Sequence, residues 1–203
     1  MNIFAGTEKP KKDLKMLDKE FYIKNGLIYG VVNIVYMMVT YVMGIETMIS
    51  FWNIGFSLVF SLAIMIFMGT QVRKARGGYM TLSEGFKSLM VIYALGTFLY
   101  LLFNHLLGTV IDPELPGKMA EATIEKTMSM MESFDVPEEV LEETYNEMGT
   151  VREDIHDNYT IGGFIQTYVT MVAMGTIGAL IGAAITKKEN PNPFHEDSIN
   201  LHE

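Results

Sequence analysis

The residues of this sequence best suited to chemistry are an adjacent pair, Asn104 and His105, near the end of a long apolar stretch. Histidine changes protonation near neutral pH, and an asparagine amide both donates and accepts hydrogen bonds. Tyr93, Thr97 and Tyr100 precede the pair at helical spacing, which places them on one helix face with Asn104. The pattern is compatible with two roles: bonding to neighbouring helices, or lining a hydrated cavity.

Three further polar side chains interrupt apolar stretches: Asn33, Asn53 and Gln166. Polar groups in hydrocarbon are unfavourable unless they are bonded, so we expect all of these candidates to face the interior of a helical assembly. One interpretation is hydrogen bonding between helices, at about 0.5–2 kcal/mol per contact. The other is a cavity for a small polar solute or an ion. We favour the first, because no Asp, Glu, Lys or Arg lies in the middle of an apolar stretch.

Other groupings give weaker signals. Met128, Met130 and Met131 could bind copper through their thioethers, and His156 with nearby acids could bind a divalent cation. With 17 methionines and no cysteine in the chain, apolar packing and a solvated acidic loop are the simpler interpretations. The sequence shows no nucleophile with a base at plausible spacing and no glycine-rich phosphate loop. We therefore predict no catalytic, cofactor-binding or metal site, and no enzyme activity.

Four apolar stretches must position the polar residues. The third, at 26 residues, would form a helix of roughly 39 Å, which exceeds the ~30 Å hydrocarbon core of a bilayer. Thr81 and Glu84 have the spacing of a capping box at the start of this helix. We predict an all-α, polytopic membrane protein in the lipid bilayer, with four transmembrane helices in an up-down bundle. The predicted spans are residues 25–45, 51–71, 86–111 and 161–186 of one membrane domain, residues 25–188.

Small residues predict where these helices touch. Gly26 and Gly30 are four residues apart in the first span, a spacing that allows two helix backbones to approach closely. The fourth span carries a similar series. The candidate helix contacts are therefore Gly26, Gly30, Gly175, Gly178 and Gly182.

The distribution of basic residues predicts the orientation. Under the four-span arrangement, twelve of the fifteen Lys and Arg fall on one side, and basic residues collect on the cytoplasmic side of membrane proteins. We therefore expect both termini in the cytoplasm, as a basic arm over residues 1–24 and a polar tail over residues 189–203. The protein would be a multi-pass protein of the bacterial cytoplasmic (inner) membrane.

Residues 112–158 are the only sizeable segment expected outside the membrane. They hold fourteen Asp and Glu against three Lys and Arg, a net charge of −11, so we expect no nucleic acid partner. Apolar residues recur at helical spacing before and after Asp135, which we predict to be the N-cap of a second helix that includes Pro137. The segment is thus predicted to be an extracytoplasmic helical hairpin between spans three and four.

Several short motifs resemble one family. Over residues 24–188 the chain is similar to the small four-helix inner-membrane proteins of Bacteroidota that are catalogued as a domain of unknown function. The resemblance implies no activity, cofactor or catalytic residue, because the family has none established, and it implies an accessory role beside a membrane glycosyltransferase. The motifs are RGGY at residues 76–79, SEGFK at 83–87, IDPE at 111–114, the outer segment rich in Met and Glu, and the lysine pair at 187–188.

Together these observations favour a non-enzymatic scaffold or accessory subunit of a membrane complex. Its partner would be another membrane protein or a second copy of the chain, joined through the small-residue face of the fourth span. The alternative is a small-solute or ion transporter or channel that uses the polar interior. An enzyme acting on a lipid-linked substrate is the third possibility, disfavoured because acid–base groups are missing from the spans.

Overall fold

The protein is almost entirely helical in a computed structural model that describes residues 17–191. Within these residues four helices are long and apolar enough to cross a membrane, in agreement with the four predicted spans, and the predicted all-helical class is confirmed. Most of the predicted basic arm (residues 1–16) and tail (residues 192–203) lies outside the described residues. The helices are α1 (Lys19–Val42), α2 (Ile45–Met48), α3 (Phe51–Ala75), α4 (Leu82–Leu106, continued by a π-helical turn over Leu107–Ile111), α5 (Leu115–Ser133), α6 (Glu138–Glu147), α7 (Gly149–Asp157) and α8 (Ile161–Thr186).

Two helices begin before the first residue of the predicted span, each for a local reason. α1 starts at Lys19 rather than residue 25, because Tyr22 is buried in the core with its hydroxyl 3.1 Å from Ser88 Oγ. α4 starts at Leu82 because Thr81 and Glu84 form the capping box, and that prediction is confirmed. The Glu84 N–H donates to Thr81 Oγ1 at 3.3 Å, and the Glu84 carboxylate accepts from the Thr81 N–H at 2.8 Å.

α4 lies at the centre of the fold and contacts α1, α3 and α8. α1 and α4 run in the same direction, since Gly26 faces Leu95 and Gly30 faces Leu99. α8 runs opposite to α4. α1 and α3 contact each other mainly through long side chains, because α4 occupies the glycine face of α1.

The buried core is concentrated towards one end. The larger apolar cluster is formed there by α1, α3, α4 and α8, and a smaller one lies near the π-helical turn. All buried residues of α3 fall in its second half, whereas its first half is largely exposed. The larger cluster comprises Tyr22, Tyr29, Met65, Met68, Val72, Met80, Leu89, Ile92, Ala179 and Ala183, and the smaller one Met37, Leu107 and Leu115.

The segment between the π-helical turn and α8 contains three helices rather than the predicted hairpin of two. α5 packs against α7, and α6 has no buried residue. Asp135 is not the N-cap that we predicted. It has a left-handed φ of 54°, and its N–H donates to the Glu132 carbonyl at 3.0 Å as α5 ends. Aspartate tolerates this conformation better than most residues do, so Asp135 terminates one helix instead of starting the next.

Polar contacts fasten this segment to the helix ends. Tyr41 at the end of α1 donates to the Asp112 carboxylate at 3.0 Å. The Lys118 ammonium lies 3.8 Å from Asp112 and 2.8 Å from Glu114. The hydrogen bond with Glu114 raises the pKa of Lys118. α5 is thereby held beside the ends of α1 and α4.

Candidate functional site

The predicted polar face of α4 is divided between helix contacts and a cavity. Tyr93 donates its hydroxyl to the Met171 carbonyl at 3.1 Å, which links α4 to α8. From α8, Tyr168 makes a matching bond to the Ala94 carbonyl at 3.2 Å. Thr97 is buried. These polar groups therefore join two helices.

The polar residues of the first two spans also form helix contacts. The Tyr36 hydroxyl donates to the Asn53 side-chain oxygen, and the Asn53 amide donates to the Met48 carbonyl at 2.9 Å. Asn33 bonds within its own helix, to the Tyr29 carbonyl at 2.8 Å. The Tyr29 hydroxyl lies 2.8 Å from Ser61 Oγ on α3. Hydrogen bonding is thus the observed arrangement of Asn33 and Asn53.

Gln166 differs from the other candidates. It is exposed on the surface of α8, and it does not line the cavity that its neighbour Thr167 reaches. The structure therefore does not bring Gln166 together with Asn104 and His105. The reason is that its position in the helix is one residue away from the face that α8 turns towards α4.

Tyr100, Asn104 and His105 line a cavity of about 240 Å³ between the end of α4, the start of α8 and the outer helices. Its walls combine apolar and polar side chains. The remaining lining residues are Leu101, Met119, Ile155, Asn158, Tyr159, Phe164, Thr167 and Met171.

The π-helical turn helps to shape this cavity. It brings Gly108 so close to the Tyr159 ring that a side chain at this position would collide with the ring. The Thr109 hydroxyl donates to the His105 carbonyl at 2.7 Å, which satisfies a backbone group beside the irregular turn. Turns of this type are frequent at functional sites. Neither Gly108 nor Tyr159 was among the residues predicted from sequence.

The cavity is polar but carries no acidic or basic side chain among its lining residues apart from His105. The Nδ1 atom of His105 is buried and has no hydrogen-bond partner among the described residues. Its ring meets Phe164 edge-on, with centroids 5.9 Å apart. Burial raises the pKa of Tyr159, and the Asn104 side chain partly opposes this rise. The site can hold a molecule by hydrogen bonds, and it offers no acid–base pair of carboxylates.

The predicted glycine contact of α1 is formed with α4. A Cβ atom on Gly30 would lie 2.8 Å from the Gly96 carbonyl oxygen, and one on Gly26 would lie 2.7 Å from Leu95 Cβ. Gly96 completes the contact, since its own Cβ would lie 2.8 Å from the Gly26 carbonyl oxygen. Sequence reasoning missed Gly96, although a glycine in the middle of an apolar span is the signal that identifies such contacts.

The glycines of α8 are not equivalent. Gly175 lies directly against the Tyr93 ring, and a Cβ on Gly182 would be 3.0 Å from Met65 Cγ. Gly178 has only Met65 Cε within reach, at 3.7 Å, so a methyl group fits there. Gly175 and Gly182 therefore lie at helix contacts inside the chain, and Gly178 lies in a looser position.

A second polar cluster, which sequence reasoning also missed, lies at the opposite end of α4. Arg76 Nη1 is 3.4 Å from Glu84 Oε1, and the Arg76 side chain is only 8% exposed. Arg76 also reaches Ser88 Oγ at 3.5 Å, and Ser88 contacts Tyr22. The cluster joins the start of α1 to the loop between α3 and α4. The sequence feature that could have indicated this cluster is Glu84, the glutamate of the capping box, which follows a basic loop.

Among the side chains that the structure describes, no group of three or more His, Cys, Asp or Glu is close enough to hold a metal ion. A family model described as "Protein of unknown function (DUF4199)" matches residues 24–188. No curated protein and no solved structure matches the chain.

Proposed function

The chain belongs to the DUF4199 family of proteins of unknown function, and we propose that it is a non-enzymatic scaffold or accessory subunit of a complex in the bacterial cytoplasmic membrane. In this proposal both termini face the cytoplasm, and the α5–α7 segment lies outside. The basis for the orientation is the excess of Lys and Arg at the end of the molecule that carries Arg73, Lys74 and Lys188.

The observation that carries the proposal is the exposure of α6. None of its residues is buried, although apolar side chains lie along the helix. Val140 is 42% exposed and Tyr145 is 54% exposed. Leu141 is half-buried, since α6 contacts α5 and α7, so the apolar residues of α6 are only partly covered within the chain. An amphipathic helix with such exposed apolar residues is suited to binding a partner.

The charge of this segment constrains the partner. Half of the ten residues of α6 are glutamates, and all of them are exposed: Glu138, Glu139, Glu142, Glu143 and Glu147. Two copies of such a surface would repel each other, so self-association through α6 is disfavoured. We infer a different membrane protein with a basic extracytoplasmic surface, and a membrane glycosyltransferase is the class to test first.

The transporter alternative is less well supported. The polar lining of the cavity ends at Tyr100 and Met171, and the buried apolar residues Leu89, Ile92 and Ala179 lie between it and the other end of the molecule. A solute would have to cross this packed layer. The polar groups nearby, Tyr93 and Tyr168, are already bonded to backbone carbonyls.

Site-specific photo-crosslinking in native membranes tests the scaffold proposal. A photoreactive phenylalanine analogue at Tyr145 should give one defined adduct with a membrane protein of basic outer surface. The same analogue at Ile177, which is 66% exposed on α8, is the matched control. Replacing the five glutamates of α6 with glutamine should abolish the Tyr145 adduct. An adduct unaffected by that replacement, or none at Tyr145, would contradict the proposal.

A further inference from the structure

The cavity beside His105 has the chemistry of a small-ligand site, independently of the scaffold role. Its volume is about 240 Å³, close to that of eight water molecules at about 30 Å³ each. This is slightly below the ~300–1,000 Å³ of typical ligand pockets. The occupant must therefore be small, with a size near that of a single ring.

The polar groups in the wall limit the charge of the ligand. Asn104, Asn158, Thr167 and the two tyrosines are uncharged, and among the side chains that the structure describes no Asp, Glu, Lys or Arg lines the cavity. A phosphate, a carboxylate or a simple cation would lose its hydration without gaining an opposite charge, which is strongly unfavourable. The site therefore selects against charged molecules.

The same groups favour hydroxyls. Amides and hydroxyl groups each donate and accept hydrogen bonds, and they match a partner that does both. The buried Nδ1 of His105 has no partner among the described residues. Neutral histidine carries either a donor or an acceptor at this atom, and a hydroxyl satisfies both tautomers.

Aromatic rings complete the wall. Tyr100, Tyr159 and Phe164 all line the cavity, and such rings pack against apolar C–H surfaces. A molecule with hydroxyls at its edge and C–H groups on its faces fits both features. We propose that this cavity binds an uncharged polyhydroxylated ring, as in a monosaccharide or the head group of a glycosylated lipid.

The choice of probe distinguishes a free monosaccharide from the head group of a glycosylated lipid. Full-length protein in lipid nanodiscs is titrated with glucose, galactose and myo-inositol by ligand-observed NMR, and nanodiscs with and without a monoglucosyl lipid are compared. Saturable binding of a free ring supports the proposal with a soluble ligand. Binding of the lipid alone, observed as a rise in melting temperature, supports it with a lipid head group. No response to any of these probes overturns it.

Variants locate the site. His105→Phe keeps the ring contact with Phe164 but removes Nδ1, and it should weaken binding about tenfold. Gln166→Leu is the matched control on the exposed face of α8 and should leave binding unchanged. If His105→Phe does not fold, as judged by helical content, Asn104→Leu takes its place. Equal weakening in the control and the cavity variant, or glucose 6-phosphate binding as tightly as glucose, overturns the proposal.

Discussion

Met80 and Lys188 form a two-way backbone bridge: the Met80 N–H donates to the Lys188 carbonyl at 2.8 Å, and the Lys188 N–H donates to the Met80 carbonyl at 2.9 Å. The bridge joins the loop between α3 and α4 to the residues that follow α8. The Lys188 ammonium also lies 5.5 Å from the centre of the Tyr79 ring. Since Tyr22 is buried beside this loop, the start of α1 and the end of α8 lie at the same end of the molecule.

Orientation in the membrane is the first prediction. Ser129 on α5 and Glu189 after α8 are both exposed. Each is replaced singly with cysteine. In intact cells, an impermeant thiol reagent should label Ser129→Cys and should reach Glu189→Cys only after the membrane is opened, because basic residues stay inside. The chain contains no other cysteine, so labelling reports each site alone. The reverse order of labelling would invert the proposed topology.

The second prediction concerns the contact between α1 and α4. Gly96→Ala should destabilise the protein by about 1–3 kcal/mol, because the added methyl group meets backbone atoms of α1 that cannot move aside. Gly178→Ala should be almost silent, since its nearest neighbour is the flexible end of Met65. Unfolding in mixed detergent micelles gives both free energies. Similar losses of stability in the two variants would show that the close approach at Gly96 does not determine the stability of the contact.

The third prediction separates bonded polar residues from cavity residues. Tyr29→Phe removes the hydrogen bond to Ser61 and should cost about 1 kcal/mol. Asn104→Leu should change stability less than Tyr29→Phe, since Asn104 lines a cavity and its side chain bonds Tyr159 in the loop before α8 rather than another long helix. The melting temperatures of the two variants, measured in the same detergent, give the comparison. A larger loss for Asn104→Leu would assign it a structural role.

The cluster at the other end of α4 gives the fourth prediction. Arg76→Met removes the ion pair with Glu84 and should lower the free energy of unfolding by about 1–3 kcal/mol. This loss is smaller than for a fully buried pair, because the Glu84 side chain is 22% exposed. Lys74 is exposed in the last turn of α3, and Lys74→Met should change the free energy of unfolding by less than ~0.5 kcal/mol. The double variant Arg76→Met/Glu84→Gln should recover part of the loss, and no recovery would argue against the pair.

The fifth prediction is a dependence on alkaline pH. Burial raises the pKa of Tyr159 in the folded protein, so unfolded chains lose this proton first, near the ordinary tyrosine pKa of about 10. The stabilising effect is complete below that pH and is lost as the pH rises through the folded pKa. Tyr159→Phe should therefore lose less stability than the original protein between about pH 9 and pH 11. Equal losses of stability in the two proteins would mean that folding does not raise the pKa of Tyr159.

The sequence predicted those features that depend on local pattern. The four spans follow from apolar length, and the capping box at Thr81 and Glu84 follows from the spacing of two side chains. The face of α1 with Gly26 and Gly30 was also recognisable, because small residues repeat there at helical spacing. Each of these signals lies within one helix, where periodicity determines what shares a face.

What could not be predicted depends on which helices meet. Gly96 belongs to the α1 contact only because α1 and α4 run side by side, and no local pattern specifies that pairing. The cavity needs Tyr159, more than fifty residues after His105 in the chain, to reach the π-helical turn. Gln166 was assigned to the interior from its residue type alone, and the direction of its side chain depends on the packing of α8.

The central place of α4 has a consequence for biosynthesis. As the chain emerges from the ribosome, α1 and α3 enter the bilayer before α4 exists, so the groove formed by Gly26 and Gly30 first faces lipid. α4 then fills this groove, and the bond from its Tyr93 hydroxyl to the Met171 carbonyl forms only when α8 arrives. Among the described helices, α8 is thus the one that completes the fold, and a chain interrupted before α8 would leave the membrane with an unfinished surface for quality-control proteases to recognise.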